Sequence, residues 1–132
     1  MAVLTLRASG PASAQEVWSC YVFPARWAAW SPQIRTVRVV GERIVPGMRG
    51  EVVARFGAIA HFVVESVDEP RMRWVWRVRV GPVRLRLHHA VAPLPTGSVT
   101  FLRIEGPVLA LAAYAGLAQW ALRRLVGGQV QP

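Results

Sequence analysis

Lysine and asparagine are absent from this 132-residue chain, and aspartate and cysteine occur once each, as Asp68 and Cys20. A single cysteine closes no internal disulfide, so a disulfide framework is excluded. Cys20 reads instead as a small hydrophobe in a helix-like segment. A reducing cytoplasm fits that usage, and Met1 to Ala8 lacks the basic flank and continuous apolar core of a signal peptide. With no Cys pair, one Asp, and His61, His88 and His89 placed on strands, neither a metal-ligand spacing nor a Ser/His/Asp arrangement can be built. Adjacent His88 and His89 point to opposite faces of their strand and cannot share a metal. No metal or cofactor is called for.

Without lysine, all 16 basic residues are arginine, and against 7 acidic residues they leave a formal charge of +9. Lys and Asn share A-rich codons, so their joint absence points to codon bias rather than to selection for bidentate recognition. A basic domain suits nucleic acid, an anionic membrane surface or an acidic protein, and net charge alone does not choose among them. Charge is also missing from Pro107 up to Arg123. That run is shorter than the ~20 apolar residues that span a bilayer, and Gly116 and Gln119 interrupt it, so it reads as a core helix rather than a membrane span.

By length, residues 1–132 make a single domain that buries roughly two-thirds of its unfolded surface in one core. Val3, Leu4 and Leu6 begin a strand that Gly10-Pro11 ends. Ser13-Ala-Gln-Glu16 forms a capping box for a helix reaching about Phe23. Pro24 breaks it, and Ala25 to Trp30 forms a second short helix before Ser31-Pro32 imposes an extended exit. From Ile34 onward, turn signals at Pro46-Gly47 with Gly50, Phe56-Gly57, Asp68-Glu-Pro70, Gly81-Pro82 and Pro95-Thr-Gly97 separate six strands.

Period-two alternation puts Trp74, Trp76 and Val78 on one face of a strand, with Arg73, Arg77 and Arg79 on the other. The next strand repeats this, with Val83, Leu85, Leu87 and His89 against Arg84, Arg86 and His88. A hairpin about Gly81-Pro82 sets Trp74 opposite His89 and Trp76 opposite Leu87. In the last helix, Pro107 suits the first turn and Gly127-Gly128 the end. Turning Gln119 and Arg123 to water directs Ala110, Ala113, Tyr114, Leu117 and Ala121 inward. Small residues facing a concave sheet leave room for close packing or for a ligand.

Ser13-Ala-Gln-Glu-Val-Trp18, Trp30-Ser31-Pro32, Gly47-Met-Arg-Gly50, Val67-Asp-Glu-Pro-Arg-Met-Arg-Trp74, Gly97-Ser-Val-Thr100 and Glu105-Gly-Pro107 follow one another in an order and spacing that resembles the START-like superfamily, also called SRPBCC. Within it the polyketide cyclase/dehydrase-like group is the nearest in pattern, over nearly the whole chain. The resemblance implies an α+β helix-grip fold: a curved antiparallel sheet of about seven strands around a long C-terminal helix, with two short helices after the first strand. It also implies a hydrophobic ligand. It supplies no universal catalytic motif, and fold alone does not decide function.

The expected function is therefore enclosure of a hydrophobic small molecule, with a polyketide-like or aromatic intermediate as one candidate. Trp27, Trp30, Trp74, Trp76, Leu87, Ala113 and Leu117 are the candidate ligand-binding residues, because large rings offer stacking area and an N–H donor. If the cavity assists cyclisation or dehydration, His89 or Tyr114 carries the proton. His89 also reads as a core histidine bonded to a neighbour, and the tryptophans as simple packing. A carrier without chemistry needs neither titratable group. A third class is an interaction module whose Arg77, Arg79, Arg84 and Arg86 meet an acidic carrier protein or anionic surface. The same ladder also reads as a solvated face balanced by Glu51 or Glu65. Nucleic-acid binding is not expected, since the aromatics alternate away from the arginines.

Overall fold

A computed structural model describes residues 2–127. Gly128, expected at the end of the last helix, lies outside the described residues, as does Met1. Strand β1 (Ala2–Gly10) is followed by α1 (Ala14–Val22), a 3-10 turn at Pro24–Arg26 and α2 (Trp27–Trp30). Then come β2 (Ile34–Val39), β3 (Arg49–Ala54), β4 (Ile59–Asp68), β5 (Arg73–Val80), β6 (Val83–Leu94) and β7 (Gly97–Gly106), before α3 (Val108–Val126). The seven strands form one antiparallel sheet in the order β1-β7-β6-β5-β4-β3-β2. Five successive hairpins build β2 to β7, and β1 closes the far edge against β7. The sheet grips α3, which is the α+β helix-grip arrangement that the resemblance implied.

Local chemistry sets the boundaries. The Ser13 hydroxyl accepts from the Glu16 backbone N–H at 3.1 Å and starts α1. Pro24 ends that helix, and the indole N–H groups of Trp27 and Trp30 then donate to the carbonyls of Tyr21 and Cys20. These two bonds fold the short helices onto each other. At the β5–β6 turn Gly81 adopts a φ of 56°, which a side chain disfavours and which a two-residue hairpin requires. The register that follows pairs Trp74 with His89 and Trp76 with Leu87.

Two expectations differ from the structure. Gly50 lies inside β3 instead of in the preceding turn, because a Cβ there would stand 2.7 Å from both the Phe62 ring and the Arg38 carbonyl oxygen. The buried face of α3 is also rotated: Leu111, Ala118, Ala121, Leu122, Leu125 and Val126 are buried, whereas Ala113 is exposed and Ala110 only half-buried. Gln119 does not simply face water, since its amide donates to the Arg7 carbonyl on β1 at 3.0 Å. The run before Arg123 holds no charge to phase the helix, and apolar residues occupy both sides of it: Leu111, Leu122 and Leu125 pack while Leu109 and Trp120 stay exposed.

The far end of α3 is clamped. Ala12 N–H donates to the Val126 carbonyl at 3.1 Å, and the Ser98 hydroxyl donates to the Ala12 carbonyl at 2.7 Å. Gly10 and Gly97 permit this, because a Cβ on either would collide with backbone atoms, of Val126 and Gly10 respectively. From that clamp to β7 the core is continuous through Leu125, Leu122, Ile104 and Leu102.

A candidate ligand cavity

A cavity of about 210 Å³ lies between the concave face of the sheet and α3. Its floor is Trp74 and Trp76 from β5 with Leu87 and His89 from β6. Tyr114, Leu117, Ala118 and Ala121 of α3 cover it, and Trp27, Trp30 and Gln33 close one side. Phe56 and Val80 line the cavity and are also exposed, so it meets solvent between the β3–β4 and β5–β6 turns.

The structure brings eight of the nine predicted site residues to this wall: Trp27, Trp30, Trp74, Trp76, Leu87, His89, Tyr114 and Leu117. Ala113 is the exception; it belongs to the exposed side of α3, for the phasing reason given above. Leu117 sits at the boundary, lining the cavity while keeping 37% of its surface in solvent. Gln33, Phe56, Ala118 and Leu122 also line the cavity without having been singled out in the sequence. Phe56 appeared there only within the Phe56-Gly57 turn signal, and Gln33 lies just beyond Ser31-Pro32, where the short helices hand the chain to β2.

The aromatic wall is tightly organised. Trp74 is 1% exposed and stacks on His89, with ring centroids 4.7 Å apart and planes 12° apart. Trp27 stacks on Trp74 with centroids 5.7 Å apart and meets Trp76 at 5.1 Å with the planes tilted by 54°. Tyr21, which alternation did not single out, lies 4.8 Å from His89 and shares a 2.5 Å hydrogen bond with the Thr100 hydroxyl. Thr100 in turn donates to the Ala90 carbonyl, so the Tyr21 phenol is the donor between them. Burial raises the Tyr21 pKa, and the phenol stays neutral.

His89 is held in one chemical state. The Trp76 indole N–H donates to His89 Nε2 at 3.0 Å, which places the imidazole proton on Nδ1. Burial, helped by the nearby His88, pushes the His89 pKa down to about 3. Nδ1 and the Trp74 indole N–H are buried without partners among the described residues. A neutral imidazole with one nitrogen occupied and the other covered is poorly placed to exchange protons with a guest. Tyr114 is different: its hydroxyl accepts from the Gln33 amide at 3.0 Å and keeps its own proton to donate. Burial raises its pKa, opposed by the Gln33 hydrogen bond.

On the convex side, Glu65 bridges the ladder, accepting from Arg77 Nε at 2.6 Å and from Arg86 Nε at 3.0 Å. Glu105 gathers His88 at 3.0 Å, with Arg86 and Arg103 each 3.7 Å away. Arg77 and Arg86 are thus balanced within the sheet. Arg79 and Arg84, directly opposite each other at the hairpin end, are in no ion pair of the described residues. No helix among the described residues is long and apolar enough to cross a membrane.

The family described as polyketide cyclase / dehydrase and lipid transport matches the sequence over residues 1–131. Among solved structures, protein CV1439 of Chromobacterium violaceum is similar with a TM-score of 0.76 at 18% identity, covering 98% of this chain and 97% of its own. A START superfamily protein from Mycobacterium smegmatis is similar with a TM-score of 0.77 at 13% identity, covering 97% and 96%. Protein MLL2253 of Mesorhizobium loti gives a TM-score of 0.77 at 15% identity, covering 94% and 96%. No curated protein matches the sequence. At these identities the likeness extends to the fold.

Proposed function

We propose, from the premise that the chain belongs to the polyketide cyclase/dehydrase and lipid transport family, that it encloses an uncharged, mainly apolar small molecule between α3 and the tryptophan wall. Family and fold together support binding of a hydrophobic ligand. The observation that carries the reading is the cavity itself, about 210 Å³ and walled by rings and aliphatic groups. An apolar cavity of ~150 Å³ stays dry and takes up benzene, so this one has room for a ligand of one or two fused rings. Burial of the ligand's apolar surface supplies the affinity, and the stacked indoles supply its flat shape selectivity.

Binding without acid–base chemistry is favoured over a catalytic role, because His89 is neutral and engaged by Trp76. One observation keeps a second reading alive. The Tyr114 hydroxyl retains a proton to donate beside the cavity, which suits orienting a carbonyl in a shape-directed cyclisation. Titration with naphthalene, followed by tryptophan fluorescence, tests the container. Saturable binding that Trp76→Leu weakens about 10-fold is expected, equivalent to about 1.4 kcal/mol. No saturation at any soluble concentration overturns it. Native mass spectrometry of freshly purified protein then identifies a retained guest, and loss of its turnover in Tyr114→Phe with affinity preserved would establish the catalytic version.

A further inference from the structure

The β3–β4 turn, the β5–β6 turn and the β7–α3 junction share one end of the sheet, since Val53 pairs with Ile59, Val80 with Val83 and Gly106 with Ala2. This is the end where the cavity meets solvent. Its tips are apolar and exposed: Phe56 by 77%, Val108 by 66% and Leu109 by 81%, with Ile59 and Val80 beside them. Exposed apolar groups gathered at one place mark a contact surface more than singly scattered ones do.

Unpaired charge at the same end has one sign. Arg35, Arg55, Arg79 and Arg84 are exposed, and none takes part in an ion pair of the described residues. No acidic residue occurs between Pro70 and Ile104 or after Glu105. Glu42, Asp68 and Glu69 belong to the opposite end of the sheet, and Glu16 opens α1 after β1 leaves it there. Glu51, Glu65 and Glu105 lie within strands and face cations of their own.

We propose that this rim docks on an anionic lipid bilayer, with Phe56, Val80 and Leu109 entering the headgroup boundary while Arg55, Arg79 and Arg84 meet lipid phosphates. The apolar groups sit on separate projecting turns, a form that a fluid interface accepts without a matching groove. A second copy of the chain would bring the same unpaired arginines face to face, and like charges oppose that contact. Docking here turns the cavity mouth toward the bilayer, giving an apolar guest a route that avoids water. The proposal goes beyond ligand binding and stands without it, because docking requires the rim and not an occupied cavity.

Flotation with vesicles of phosphatidylcholine, and of equimolar phosphatidylcholine and phosphatidylglycerol, tests it. The expected result is salt-sensitive binding to the anionic vesicles only, weakened about 100-fold by combined Arg55→Gln, Arg79→Gln and Arg84→Gln. Arg49→Gln, Arg71→Gln and Arg73→Gln remove the same charge at the other end and should change binding by less than about 3-fold. Leu109→Ser, on the exposed first turn of α3 and outside the cavity lining, should weaken vesicle binding while leaving naphthalene binding intact, which separates this inference from the container reading. Equal loss in both arginine triples would make net charge the cause and overturn the docking surface. Undiminished binding in the rim triple, binding to polyglutamate in place of vesicles, or a stable dimer that excludes vesicles would overturn it as well.

Discussion

Along the β5–β6 hairpin, the concave side stacks Trp74 on His89 and bonds Trp76 to the same imidazole, whereas the convex side sets Arg77 opposite Arg86 with Glu65 between them. The two faces differ only by the parity of the residue. One is dry, close-packed and chemically frozen, and it leaves two N–H groups without partners among the described residues. The other is wet, adjustable and screened. Period-two alternation therefore divides one strand pair between a surface that sets stability and a surface that contributes little to it.

The largest test of that division is truncation of the inner wall. Trp74→Ala should destabilise the fold by about 3–5 kcal/mol in denaturant unfolding, because it leaves a void among Tyr21, Trp27, Trp76 and His89. Arg77→Ala on the same strand should cost less than about 1 kcal/mol. Comparable losses would break the comparison.

Acid separates the faces by pH window. His89 is depressed to about 3 in the folded state from 6.5, so below pH 6.5 the unfolded chain binds the extra proton. Stability should fall as pH drops from 6.5 toward 3, by about 1.4 kcal/mol per unit once below the upper value, and His89→Phe should abolish that slope. Glu65 and Glu105 are lowered from 4.5 in the folded state: Glu65 by its hydrogen bonds from Arg77 and Arg86, against the opposing effect of desolvation, and Glu105 chiefly by its hydrogen bond to His88. Their contribution is present above 4.5 and is lost only as pH falls through the lower folded values. A stability curve flat between pH 6.5 and 4.5 would remove the distinction.

A smaller effect is expected from filling the cavity. Ala118→Leu should change stability by less than about 1 kcal/mol, since the added carbons enter existing space. It should weaken naphthalene binding about 10-fold, or about 1.4 kcal/mol. The smallest effect belongs to Glu65→Gln, at most about 1 kcal/mol at low salt and less at high salt.

Much of this was legible in the sequence because it rests on local rules. Gly81-Pro82 sets the hairpin register, and with it the Trp74–His89 and Trp76–Leu87 pairs. The order of turns from Ile34 onward yields the six later strands. The face of α3 was not legible, since a helix without charge before Arg123 has no polar stripe to phase it and Ala113 went to the wrong side. Gly50 was misplaced because its close approach to Phe62 is a contact between strands, invisible to turn chemistry. Gln33 and Phe56 join the cavity wall through the way β2 and the β3–β4 turn curl over it, which only the assembled sheet determines.

The glycine clamp at Gly10 and Gly97 makes α3 a beam held at both ends. Val126 is hydrogen-bonded to the β1–α1 connection, and Gly106-Pro107 joins the first turn covalently to β7. At a rise of 1.5 Å per residue the 19-residue span is roughly 28 Å long, with Ala113 in solvent on its outer side and Tyr114 and Ala118 roofing the cavity. A beam anchored at both ends resists being lifted from the sheet, so the place of the roof is set by the sheet and not by the guest.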